Sequence, residues 1–152
     1  GRGLRVWTST LRRTRMTAQY LEQTPVQWKV LDEIDSGLCD GMTYQSIQQE
    51  MPEEFAARQQ DKLCYRYPRG ESYQDVIHRL EPVIIELERT RNPVLVIAHQ
   101  AVLRCLCSYI RGLSPEDCPD LEIPLHAVLE LHPGAYDTQV LLHTIGPALS
   151  PP

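Results

Sequence analysis

A histidine, two arginines and a carboxylate stand at positions from which they could act together on a phosphate. His99 ends the apolar run VLVIA (Val94 to Ala98) and opens a new helical pattern, with Arg104 about one turn further in. At a strand-to-helix junction the free backbone N–H groups and the positive end of the helix dipole point into the crevice beyond the strand, so anions are favoured there. Arg13 sits at the start of another such helix, in VWTSTLRRT, and Glu33 and Asp35 follow a third run in VLDEID. Cations spread the charge of a transferring phosphoryl group, and a carboxylic acid protonates the oxygen that leaves. Taken singly, His99 reads as a core histidine bonded to a neighbouring carbonyl and Arg104 as part of a solvated face. Arg12 and Arg15 read as surface residues. Three polar clusters nevertheless recur at the same kind of place, and that recurrence favours chemistry.

The elements that must position them follow from periodicity. LRVWTS (Leu4 to Ser9) reads as a strand and Thr10 to Gln23 as the helix after it, with Ser9 or Thr10 as N-cap. Val26 to Ile34 alternates weakly and is expected as a second strand. Thr43 to Lys62 is helical, with Pro52 at the first position of a second helix led by Glu53 and Glu54. Ser72 with Asp75 three residues on forms a capping-box pattern. It opens a long helix whose apolar face is Val76, Ile77, Leu80, Val83, Ile84 and Leu87, kinked at Pro82. The run before His99 is a buried strand, and the helix after it ends at Gly112. Two last strands, His126 to Leu131 and Thr138 to Ile145, flank HPGAYD, whose Pro-Gly favours a tight reversal. This order implies an α/β sheet with helices on both faces and function at the strand ends.

Whole-chain properties narrow the partners. A chain of 152 residues, 42% apolar, buries one good core and is read as one domain over 1–146 with a tail at 147–152. A net charge of −5 argues against nucleic acid or an acidic membrane surface. An anionic ligand must then be held by local cations, and these are 13 Arg against 2 Lys, favouring the planar fork that binds phosphate in a bidentate way. The five cysteines, Cys39, Cys64, Cys105, Cys107 and Cys118, are odd in number, and none stands at metal-ligand spacing. They read as reduced thiols of a cytosolic protein. No metal or cofactor is called for, and no stretch approaches the ~20 apolar residues of a membrane span.

The segments VWTSTLRRTRMTAQYL, LDEIDSGLCDGMTYQSIQQEMPEEFAARQQDK, YRYPRGESYQDVIHRLEPVIIELER and VLVIAHQAVLRCL together resemble the bisphosphatase domain of the 6-phosphofructo-2-kinase/fructose-2,6-bisphosphatase family. That family is a branch of the phosphoglycerate mutase-like histidine phosphatases. The resemblance runs from about Val6 to Tyr136, and YPRGESY and LHAVLEL are not general features of the histidine phosphatases, as the histidine and Arg-Thr signals are. It implies a three-layer phosphoglycerate mutase-like sheet and hydrolysis of fructose 2,6-bisphosphate to fructose 6-phosphate and phosphate through a phosphohistidine. Arg13 is then implied in the phosphate pocket, His99 as a donor to the phosphoryl oxygens and Glu33 as the acid for the leaving C2 oxygen. Tyr44, Arg58, Lys62, Tyr73, Gln100 and Arg104 match sugar- and 6-phosphate-binding positions. Nucleotide or phosphate contacts are implied around Phe55 to Arg58, at Gln100 to Arg104 and at Tyr136.

The same resemblance marks departures. The family opens with a central strand ending in Arg-His-Gly-Glu, whose histidine is the nucleophile. These 152 residues hold no such motif, so the segment is expected before Gly1 and the chain is expected to lack its first strand. An upstream kinase domain with a glycine-rich ATP loop, and a homodimer of the parent, are implied in the same way. Leu63 and Cys64 replace an aromatic and a basic residue of the family. The leading expectation is thus a partial bisphosphatase domain, catalytically crippled by itself. The alternatives are a truncated phosphosugar-binding or interaction module, and a broad-specificity histidine phosphatase.

Overall fold

Val6, Trp7 and Thr8 are β-branched or aromatic, and all three are buried in strand β1 (Arg5–Thr8), the middle of a three-stranded sheet. A computed structural model describes residues 3–146. β1 pairs in parallel with β2 (Val26–Gln27) on one side and β3 (Val94–Ile97) on the other, with Thr8 opposite both Gln27 and Ile97. Parallel neighbours need long crossovers. Helix α1 (Arg12–Ala18) supplies the first. The second contains α2 (Tyr44–Glu50), α3 (Pro52–Gln60), α4 (Tyr73–Arg79) and α5 (Glu81–Arg89). After β3 comes α6 (Gln100–Ile110), whose Ala101, Val102, Cys105 and Leu106 pack with Trp7, Leu31, Tyr73, Val76, Leu80 and Val83 in the core.

Three expected elements come out differently. The second strand is two residues long, because Trp28 packs against Trp7 with ring centroids 5.2 Å apart and the backbone then turns through a 3-10 helix at Lys29–Leu31. That turn buries Leu31 completely and exposes the carbonyls of Val30 and Asp32 to Arg79. The first helix is shorter than Thr10 to Gln23, and its N-cap is Leu11 rather than Ser9 or Thr10, whose hydroxyls are engaged elsewhere. It ends at Ala18, with the Gln19 N–H donating to the Met16 carbonyl in a tightened last turn. The long helix after Ser72 is two helices meeting at Leu80, with Pro82 in the first turn of α5, where its missing N–H costs least. The capping box is formed: the Ser72 Oγ accepts from the Asp75 N–H at 3.1 Å, and the Asp75 carboxylate accepts from the Ser72 N–H at 2.8 Å.

The closing strands, β4 (Ala127–Pro133) and β5 (Thr138–Thr144), form an antiparallel hairpin of their own rather than joining the parallel sheet. The Gly134 N–H donates to the Asp137 carbonyl at 2.8 Å across the expected reversal, and the Thr138 hydroxyl ties the hairpin to the Ile110 carbonyl at 2.7 Å. All five cysteines are free thiols. Among the described residues no helix is long and apolar enough to cross a membrane. The tail read at 147–152 lies outside the described residues.

Candidate active site

Because β1 and β3 run parallel in register, their C-terminal ends bring residues 90 apart in sequence into contact. The Ser9 N–H donates to the Ile97 carbonyl at 3.3 Å, and two residues later His99 turns in as the N-cap of α6. His99 Nε2 lies 2.8 Å from Ser9 Oγ, and Ser9 Oγ lies 2.8 Å from Thr14 Oγ1. Arg13, in the first turn of α1, donates from Nε to His99 Nδ1 at 3.0 Å. Ser9, Thr14 and His99 are all nearly inaccessible, at 0%, 3% and 5% exposure. Burial, then the Arg13 charge, pull the His99 pKa down to about 4; Asp32 works against them and Arg79 with them.

The segment after β2 is tied to this pair from two sides. The Asp32 carboxylate accepts from the Thr10 N–H and hydroxyl, both at 2.8 Å, and pairs with Lys29. Burial works to raise its pKa, but the Lys29 and Thr10 hydrogen bonds outweigh it and leave Asp32 below the usual carboxylate range. From the other side Arg79 on α4 donates to the carbonyls of Val30, of Asp32 at 2.7 Å and of Glu33 at 3.3 Å. The same guanidinium grips Glu71 at 2.8 and 3.1 Å, and Glu71 in turn accepts from the Asp35 N–H. Two glycines permit this approach. Gly37 has φ +52°, and a Cβ there would sit 2.0 Å from the Pro68 carbonyl oxygen; one on Gly70 would sit 2.3 Å from that of Asp35.

Of the expected site residues, the structure joins Arg13 to His99 directly. Glu33 is held through its backbone by Arg79, while its carboxylate accepts from the Ile34 N–H at 2.9 Å and bonds neither His99 nor Arg13. Tyr44 and Arg58 form a second group: the guanidinium lies 4.7 Å over the Tyr44 ring and donates to the hydroxyls of Tyr44 and Tyr67. Tyr73 and Arg104 form a third, joined at 2.9 Å, with Arg104 also donating to the Leu121 carbonyl at 2.7 Å. Burial, opposed by Arg104, pushes the Tyr73 phenol up to about 12. Lys62 pairs with Asp120. Gln100 is exposed in the first turn of α6 and Phe55 half-buried on α3. Tyr136 stands fully exposed at the hairpin tip and belongs to none of these bonded groups.

Ser9, Thr14, Asp32, Tyr67 and Arg79 are the members that sequence reasoning passed over. For Ser9 and Thr14 the signal was their place beside a strand end; for Arg79, 46 residues from Glu33, no local signal exists. Among the described residues no group of three or more His, Cys, Asp and Glu side chains is placed to hold a metal ion.

Parallel strands linked by helical crossovers, with a buried histidine bonded to an arginine beyond two strand ends, make this a mixed α/β protein, and its likeness to solved histidine phosphatases gives that fold as phosphoglycerate mutase-like. A profile described as the histidine phosphatase superfamily (branch 1) matches residues 3–145, and the chain belongs to that family. It is 58% identical over 137 residues to a fructose-2,6-bisphosphatase of Saccharomyces cerevisiae, covering 90% of this chain and 30% of the yeast protein. It is 57% identical over 137 residues to 6-phosphofructo-2-kinase/fructose-2,6-bisphosphatase 1 of Homo sapiens, covering 90% of this chain and 29% of the human one. The chain thus spans less than a third of these relatives. In fold it is similar to the alpha-ribazole phosphatase of Shigella flexneri, with a TM-score of 0.79 at 20% identity over 95% of this chain and 76% of the other. It is similar also to a mycobacterial glucosyl-3-phosphoglycerate phosphatase, with a TM-score of 0.72 at 22% identity over 93% and 75% of the two chains.

Proposed function

We propose that this chain is the larger part of a fructose-2,6-bisphosphatase domain, acting on the 2-phosphate of fructose 2,6-bisphosphate. The observation that carries the reading is the Arg13–His99 pair at the ends of β1 and β3, in a chain 58% identical to a relative named for that activity. In this reading Arg13 neutralises the phosphoryl group, His99 donates to its oxygens and Glu33 protonates the C2 oxygen as the P–O bond breaks. The Tyr44–Arg58–Tyr67 group and the Tyr73–Arg104 pair, with Lys62 and Gln100, take the sugar and its 6-phosphate. The parent protein is a cytosolic bifunctional enzyme with an ATP-binding kinase domain, working as a homodimer. The contacts at Phe55 and Tyr136 belong to its nucleotide or phosphate binding.

The attacking histidine of this reading comes from an Arg-His-Gly-Glu segment, which these 152 residues do not contain. His78 lies exposed on α4, and His126, His132 and His143 lie in or beside the hairpin. That observation favours a second reading for the 152 residues by themselves, a module that binds the phosphosugar without turning it over. Incubating the chain with fructose 2,6-bisphosphate labelled at the 2-phosphate tests both. Release of labelled phosphate at the rate of a complete domain refutes the need for the Arg-His-Gly-Glu histidine and the role given to His99; saturable binding with only ~10³-fold residual acceleration supports a bisphosphatase pocket that binds without turning over. Absence of binding refutes both.

A further inference from the structure

We propose that Ser9 is a positioning residue that holds His99 as its Nε2–H tautomer, so that the ring offers Nδ1 to a phosphoryl group and can donate to it only after taking up a proton there. The donors and acceptors around the ring fix its tautomer. Arginine Nε–H can only donate, so His99 Nδ1, 3.0 Å away, must be the bare nitrogen. A neutral imidazole then carries its proton on Nε2, which donates to Ser9 Oγ at 2.8 Å. Ser9 Oγ also accepts from the Leu11 N–H at 3.2 Å, which leaves its own hydrogen to donate to Thr14 Oγ1 at 2.8 Å. Thr14 passes the chain on by donating to the Leu11 carbonyl at 2.9 Å, so the direction of every hydrogen is determined. The three side chains of this relay lie almost entirely out of contact with solvent, which strengthens each bond.

The consequence concerns the ligand, and this half rests on the phosphoryl-binding reading above. A phosphoryl oxygen is an acceptor, as is the bare Nδ1, and two acceptors cannot bond. When phosphate takes Arg13 from the ring, Nδ1 must gain a proton, drawn from solvent or from the monoanionic form of the phosphate itself. The charged groups that face the ring are Arg13 from α1, Asp32 from the segment after β2 and Arg79 from α4. The two cations disfavour the imidazolium while Asp32 favours it, and a phosphate dianion beside Nδ1 would tip that balance toward the charged ring. Ser9 keeps its own bond in both states, since Nε2–H donates whether the ring is neutral or charged. Binding and protonation are thereby linked through one nitrogen.

Histidine-selective ¹⁵N NMR on the whole chain reads the tautomer directly. At neutral pH the His99 Nδ1 signal is expected in the unprotonated range and Nε2 in the protonated one; the reverse assignment overturns the proposal. Ser9→Ala should shift the tautomer ratio away from Nε2–H by about fivefold or more, the equivalent of one neutral hydrogen bond. Thr14→Val, which cuts the next link, should weaken the preference in the same direction. An unchanged ratio in both variants, with Val102 and Leu106 amide exchange intact, removes the role given to Ser9. Inorganic phosphate added to the wild-type chain should move Nδ1 into the protonated range as it saturates. Saturation with Nδ1 still bare overturns the proton uptake. No response to phosphate overturns the phosphoryl-binding reading together with the uptake, while the tautomer of the ring without phosphate still decides the role of Ser9.

Discussion

Acidifying the protein from pH 7 to pH 4 should cost it about 3 kcal/mol of stability through His99 alone. The folded ring holds its proton only below a pKa of about 4, because it is buried against the Arg13 guanidinium. In the unfolded chain a histidine titrates near ~6.5. Between those values the unfolded state binds a proton that the folded state refuses, so stability falls as the pH falls. The loss is nearly absent at pH 7, reaches about 2 kcal/mol at pH 5 and levels off near 3 below pH 4. Carboxylates enter lower down. Asp75 is held down to about 2 by Arg66 and the Ser72 N–H, and Asp32 also lies below its ordinary value. His99→Gln isolates the effect, since its amide can accept from Arg13 and donate to Ser9 but cannot titrate. Urea unfolding of both proteins at half-unit pH steps gives the comparison. The wild-type curve should drop below that of the variant by about 2 kcal/mol between pH 7 and pH 5. Parallel curves would refute the reasoning, because they would mean that His99 titrates alike in both states.

Removing the Arg79 clamp with Arg79→Gln leaves Glu71 and three carbonyls without their cation and should cost about 3 kcal/mol in urea unfolding, with Arg79→Lys recovering less than half of it. Ser72→Ala removes one arm of the capping box and should lower stability by about 1 kcal/mol, read as a fall in Tm. Gly37→Ala and Gly41→Ala are a matched pair, since both positions have positive φ but only the first would place its Cβ against backbone, at the Pro68 carbonyl. Gly41→Ala should cost about 1 kcal/mol and Gly37→Ala several more, with disturbed near-UV circular dichroism only for the latter.

Periodicity and breakers determined much of this protein. The strand before His99, the helix after it, the division at Pro52, the capping box at Ser72 and Asp75, and the Pro-Gly hairpin all stand where local pattern puts them, because each depends on neighbours within a turn or two. Arg13 and His99 were legible as partners by type and place, since each follows a strand of the kind a parallel sheet brings to one edge. Tertiary packing decided the rest. Val26 to Ile34 alternates well enough for a strand, yet Trp28 is drawn onto Trp7, and Arg79 claims the Val30 and Asp32 carbonyls that a longer strand would pair along its ladder. Glu33 was legible as a carboxylate at a strand end, but not the clamp that holds its backbone, whose parts are separated by 36 to 49 residues. Ser9 illustrates the limit most sharply. Next to a helix it has the chemistry of an N-cap, and the parallel register of β1 and β3 turns that hydroxyl to a histidine 90 residues away. Its nearest neighbours in sequence carry no trace of that partner, because a hydrogen bond selects by distance in space.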